Sequence, residues 1–113
     1  MALALNVYRT IISTATTEKV GIYTAPVGYT GIVLLAQATN TNTATQTFTL
    51  DYTRSVSGVA VTFPVASGFP IESNDSTGLI DGKLVIQSGD VLTISGSVET
   101  DIKFVASILE TLN

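Results

Sequence analysis

The chain has 113 residues, five basic and nine acidic side chains, no histidine and no cysteine, for a formal net charge of −4. Without imidazole or thiolate it can form no Ser/His/Asp or Cys/His nucleophile, no disulfide, and no zinc or iron site built on those ligands. Charged residues are only 12% of the chain and hydrophobic ones 45%, yet no apolar run approaches the ~20 residues of a membrane-spanning helix.

In chain order, Met1 to Leu5 is apolar but has no basic residue ahead of it. It reads as an arm that docks on a neighbour and not as an export signal. Asn6 to Ser13 is rich in β-branched and aromatic residues and predicts a strand. Val7, Arg9 and Ile11 share one face of it, and Tyr8, Thr10 and Ile12 the other. Thr14 to Thr17 is a polar loop.

Lys19 to Thr24 and Gly31 to Thr39 predict two strands joined by a hairpin turn at Ala25-Pro26-Val27-Gly28. Pro26 presets φ for the first central position, and Gly28 tolerates the backbone that follows. Tyr29 is then expected at an exposed tip. In the strand that follows, Ile32, Leu34, Ala36 and Ala38 fall on one face and Val33, Leu35, Gln37 and Thr39 on the other. Its first half is apolar on both sides, which predicts a central strand covered twice.

Asn40 to Thr43 breaks that strand with Asx side chains suited to bonding their own backbone. Thr45 to Thr53 alternates Gln46, Phe48, Leu50 and Tyr52 with threonines and Asp51, a half-buried antiparallel strand with a wet threonine face. Val59, Val61, Phe63 and Val65 alternate with Ala60, Thr62 and Pro64, and Pro64 assigns its position to an edge or strand end. Ala66 to Gly78 reads as an irregular crossing between sheets.

Asp81-Gly82 lies between short apolar segments and predicts a second hairpin. Val91 to Val98 places Leu92, Ile94 and Val98 on one side. Ile102 to Leu112 is the last strand, with Ile102, Phe104, Ala106 and Ile108 on one face and Val105 and Leu109 adding apolar character to the other. Eight or nine short strands at 8–12-residue spacing, and no helix, predict an all-β chain: a single antiparallel β-sandwich or jelly roll over residues 1–113, with 1–5 as its arm.

No catalytic, cofactor-binding or metal-binding site emerges. Asp75, Asp81 and Asp90 occupy turn contexts and are expected to be solvated. A calcium site at Asn74, Asp75 and Asp81 fails to match the EF-hand loop. Asn74-Asp75-Ser76 fits the N-x-Ser glycosylation pattern, but no secretory signal accompanies it. Tyr8, Tyr23, Tyr29 and Tyr52 are expected to pack at strand ends with wet hydroxyls, the competing reading being a sugar-stacking platform. The five basic residues, Arg9, Lys19, Arg54, Lys83 and Lys103, are scattered singly on an acidic chain, which argues against nucleic-acid binding. Excess apolar content then points to surfaces shared between subunits. Leu3, Leu5, Tyr8, Tyr29, Val105 and Leu109 are the candidate interface residues.

The run Ile22-Tyr23-Thr24-Ala25-Pro26-Val27-Gly28-Tyr29-Thr30 resembles the opening of small β-sandwich structural proteins of tailed bacteriophages. Gly82-Lys83-Leu84, Gly89-Asp90-Val91-Leu92-Thr93 and the closing Ser107-Ile108-Leu109-Glu110 are similar to later segments of that family. The resemblance covers about Ile22 to Glu110. It implies a non-enzymatic virion component present in many copies, of decoration, neck or tail type and assembled in the host cytoplasm. Its partners would be further copies of itself, in a trimer or ring, and other virion proteins such as the major capsid protein. The alternative is a carbohydrate- or receptor-binding module.

Overall fold

Nine strands account for the regular structure of residues 5–113, the part of the chain that the computed structural model describes. They are β1 (Asn6–Thr14), β2 (Val20–Thr24), β3 (Tyr29–Asn40), β4 (Gln46–Val56), β5 (Val59–Ile71), β6 (Ser76–Gly78), β7 (Leu84–Ile86), β8 (Val91–Gly96) and β9 (Ile102–Leu112). All pairings are antiparallel. The first sheet runs β1-β9-β3, with β6 and β7 both on the outer edge of β3, and the second runs β2-β8-β4-β5. Because β6 pairs with Gln37–Thr39 and β7 with Gly31–Val33, the two act as one interrupted edge strand. A five-stranded and a four-stranded sheet are thus wound from a chain that passes repeatedly between them, as in a jelly roll.

The core lies between the sheets. Val33, Ala36, Ala38, Ile86, Ile102, Phe104, Ala106 and Ile108 face inward from the first, and Phe48, Leu50, Leu92 and Ile94 from the second. Phe48 and Phe104 stack across the gap with centroids 5.8 Å apart. The inward set of the last strand is the one its alternation predicts, extended by a buried carboxylate, Glu110. Asn40 closes the inward side of β3. Its Nδ2 donates to the carbonyls of Ile71 and Ala44, while its Oδ1 accepts from the Asn42 N–H, the expected Asx geometry.

Four expectations are corrected. The Pro26 turn joins two sheets and is no hairpin, since β2 pairs with β8 while β3 pairs with β9. Ala25 is held at the entry to β8 by bonds to the Asp90 carbonyl and from the Gly89 N–H, so the chain is still committed to the second sheet there. The turn itself is one residue later than expected. Tyr29 N–H bonds the Pro26 carbonyl at 3.0 Å. Gly28 takes the left-handed third position at φ 85°, and Val27, 91% exposed, forms the tip. Tyr29 instead begins β3 and is half-buried.

The second correction concerns the faces of β3. A bulge between Val33 and Leu35 inserts Leu34 as an extra residue opposite β9. Val33, Ala36 and Ala38 therefore all point inward, while Leu34 and Leu35 are exposed, so the strand is not covered on both sides. Third, Asp81-Gly82 is an excursion between two segments that both pair with β3, not a hairpin between strands that pair with each other. Fourth, part of the expected irregular crossing is strand: β5 continues to Ile71, and register shifts between Phe48 and Asp51 absorb Val65, Ser67 and Gly68. Gly68 donates its N–H to the Thr49 hydroxyl there, at 3.0 Å.

Candidate assembly surfaces

The outer face of the first sheet follows from its register. Tyr8, Leu109, Ile32 and Val85 lie in one row across four strands. Thr10, Ser107 and Leu35 form the next row, and Ile12, Val105 and Gln37 the one after. Tyr8 and Ile12 are each 76% exposed, and Leu35, Val85 and Val105 are also exposed. An antiparallel sheet normally gives its solvent face to polar side chains. Here the rows from Tyr8 to Ile12 carry no charge; Lys103, between Thr14 and Thr39, stands in the row beyond them, and Lys83 lies two residues before Val85 at the edge.

A second apolar surface belongs to the hairpin of β4 and β5. Pairing of β4 with β8 covers only Phe48–Thr53, so the ribbon from Arg54 to about Thr62 overhangs the sheet. Its turn is Ser57-Gly58 with φ of 52° and 79°, the positive pair that a two-residue I′ hairpin requires. Cross-strand pairs share a face, so Tyr52–Phe63, Arg54–Val61 and Val56–Val59 lie on one side and Thr53–Thr62 and Ser55–Ala60 on the other. The apolar side continues the core side of β4. Beneath it is a groove of about 440 Å³ lined by Tyr52, Arg54, Val56, Val61, Phe63, Leu84 and Val85.

Charge at or near both surfaces is neutralised by pairing. Glu110, Asp51 and Asp90 are nearly fully buried, and each meets one basic residue at 2.8 Å: Arg9, Lys19 and Arg54 respectively. Tyr23 donates its hydroxyl to Glu110 at 2.7 Å, and Tyr52 donates to Asp90. Burial pushes the Tyr23 phenol well up, and the Glu110 hydrogen bond adds to it. Tyr52 is raised for the same reasons, with Asp90 as its partner. Burial opposes the Asp90 carboxylate, but the hydrogen bonds from Arg54 and Tyr52 outweigh it and hold its pKa below the ordinary value. Two expectations therefore fail: Asp90 is not a solvated turn residue, and the Tyr23 hydroxyl is buried against Glu110. Each of these three buried carboxylates is spent on a cation, and among the described residues no three His, Cys, Asp or Glu side chains come together to hold a metal.

Of the candidate interface residues, Tyr8, Val105 and Leu109 are brought onto one face, with Tyr8 directly opposite Leu109. Leu5 is exposed at the entry to β1, its carbonyl accepting the Leu112 N–H. Tyr29 shares its side of β3 with Gly31 and Val33, away from that face. Leu3 lies outside the described residues. Sequence reasoning missed Ile12, Leu35, Val85 and the hairpin residues Val61 and Phe63. Ile12 was legible, since it alternates in phase with Tyr8. The hairpin also leaves a signal: Ser55 to Ile71 is a 17-residue stretch with no charged side chain.

No protein-family model matches the chain, and no curated protein sequence does. Solved structures do. The chain is similar to a protein from a study of Bacillus endospore appendages, described as a family of disulfide-linked pili. The TM-score is 0.52 at 20% identity, over 100% of this chain and 97% of that one. It is also similar to a chain of the T13 viral particle of IBDV, with a TM-score of 0.58 at 11% identity. That match covers 97% of this chain but only 32% of the other. Both likenesses are of fold. Having no cysteine, the present chain cannot form the disulfide links named for the appendages.

Proposed function

We propose that this protein is a non-enzymatic structural subunit that works in many copies, and specifically a decoration or cement protein on the capsid of a tailed bacteriophage. The observation that carries the reading is the uncharged apolar outer face of the first sheet, with Tyr8, Ile12, Leu35, Val85 and Val105 exposed on it. A monomer rarely leaves a contiguous patch of that kind in water. The fold is shared with a particle-forming viral chain and a pilus-associated one, which supports assembly as the purpose of the patch. The phage capsid as the setting rests on the sequence resemblance from Ile22 to Glu110.

The test is co-sedimentation with empty shells of the phage that encodes the protein, prepared without it. Saturable retention on the shells, with increased resistance of the shells to heat, is the expected result. Protein that remains in the supernatant while binding tail or neck preparations would overturn the capsid assignment.

A further inference from the structure

We propose that the β4–β5 hairpin is a second self-association element, which seats its apolar face in the groove of another copy and receives that copy's hairpin in its own groove. This goes beyond the reading above, which rests on the outer face of the first sheet.

The hairpin overhangs with its core side uncovered. Val56, Val59, Val61 and Phe63 on that side are 36–68% exposed. Thr53, Ser55 and Thr62 on the other side already suit water. The open side therefore calls for an occupant, and the groove fixes its chemistry. Its one ionic group, Arg54, is neutralised by Asp90 at 2.8 Å, so nothing in the groove selects a charged partner. The hairpin from Ser55 onward is itself uncharged. The groove wall shares Val56, Val61 and Phe63 with the hairpin face and adds Leu84 and Val85, so every copy presents the same apolar chemistry on both. A two-fold exchange satisfies the two at once, since a two-fold contact joins the same patch on each subunit.

The area agrees. By their fractional exposures the four side chains offer about 350–400 Å² per copy, within the range of the biggest patch an ordinary monomer shows. Two copies would bury about 700–800 Å² from these side chains, and covering Tyr52, Leu84 and Val85 of each groove brings the total toward the roughly 1,000 Å² at which specific interfaces begin. The edge is also unguarded. β5 is the last strand of its sheet, and its outer half, Val59 to Phe63, has neither the charge nor the proline that usually blocks strand edges. One two-fold surface alone stops at a dimer. Combined with the outer face of the first sheet, it links copies into an open array.

The chain contains no cysteine, so single thiols report the contact. Val59→Cys, Val61→Cys and Phe63→Cys would each be treated with diamide, which takes up two electrons and two protons as two thiols join in a disulfide. Thr62→Cys, on the polar side, is the control. At least one of the three is expected to give covalent dimer five-fold or more faster than the control. A control that cross-links as fast, or no dimer from any variant while the wild type still assembles, would overturn this inference and leave the first surface standing. The double variant Val61→Asp/Phe63→Asp supplies a second readout. With its melting temperature near wild type, it should assemble to a smaller limiting mass, whereas an undiminished mass would count against the clasp.

Discussion

Tyr23 shows how tightly single residues are constrained. A Cβ at Gly31 would stand 2.8 Å from its hydroxyl oxygen, so Gly31→Ala must displace the donor on which Glu110 depends. We expect a loss of about 1–3 kcal/mol, read as a lower urea midpoint at unchanged slope. The ionisable residues fix the pH range. Asp90 is held below its ordinary pKa, so its contribution is present above about pH 4 and is lost as pH falls through the folded-state value. Glu99, which accepts the N–H and hydroxyl of Thr17, adds in the same direction. Tyr23 and Tyr52 are raised, so theirs is present below about pH 10 and lost as pH climbs above it. The urea midpoint should therefore be flat near neutrality and fall on both sides, with Asp90→Asn shrinking the acid limb. A midpoint equal at pH 3 and pH 7 would contradict this. None of these pairings was legible in the sequence. Arg9 and Glu110 are 101 residues apart, and only the β1–β9 register brings them together.

Strand identity was legible because it depends on local alternation, whereas pairing was not. The Asp81-Gly82 signal is sound turn chemistry, yet its flanking segments found a longer edge on β3 than either could offer the other. Likewise the Pro26 turn has hairpin grammar, but Ala25 is pinned beside β8. The Leu34 bulge defeats any strict period of two, because one inserted residue reverses the faces that follow. Where local chemistry and tertiary pairing agree, as at Ser57-Gly58, the turn should respond as an isolated hairpin would. Ser57→Asn supplies a residue that tolerates positive φ more readily and should stabilise by up to about 1 kcal/mol. Gly58→Val should destabilise by about 1–2 kcal/mol. Thermal melts of both variants check the signs. Asn40→Leu leaves the Ile71 and Ala44 carbonyls without their donor and should cost about 2 kcal/mol or more.

For the molecule as a whole, charge is conserved for internal pairing and apolar surface is left outside. Three of the five basic residues are engaged with buried carboxylates, which is why a chain with so few charges still exposes two nearly uncharged surfaces. Composition alone announced that excess, but its location needed the register. Tyr8, Ile12, Val105 and Leu109 were recognisable as outward apolar residues in their own strands, while Leu35 and Val85 join them only through pairing. The central claim is that this face joins copies of the chain. Sedimentation velocity over a concentration series tests it directly, comparing the wild type with an Ile12→Asp/Val105→Asp variant whose melting temperature is checked first. The wild type should show mass increasing with concentration beyond a dimer, and the variant should lose the larger species. A wild type that sediments as an 11.8 kDa monomer throughout, or a variant that assembles equally well, would contradict the account.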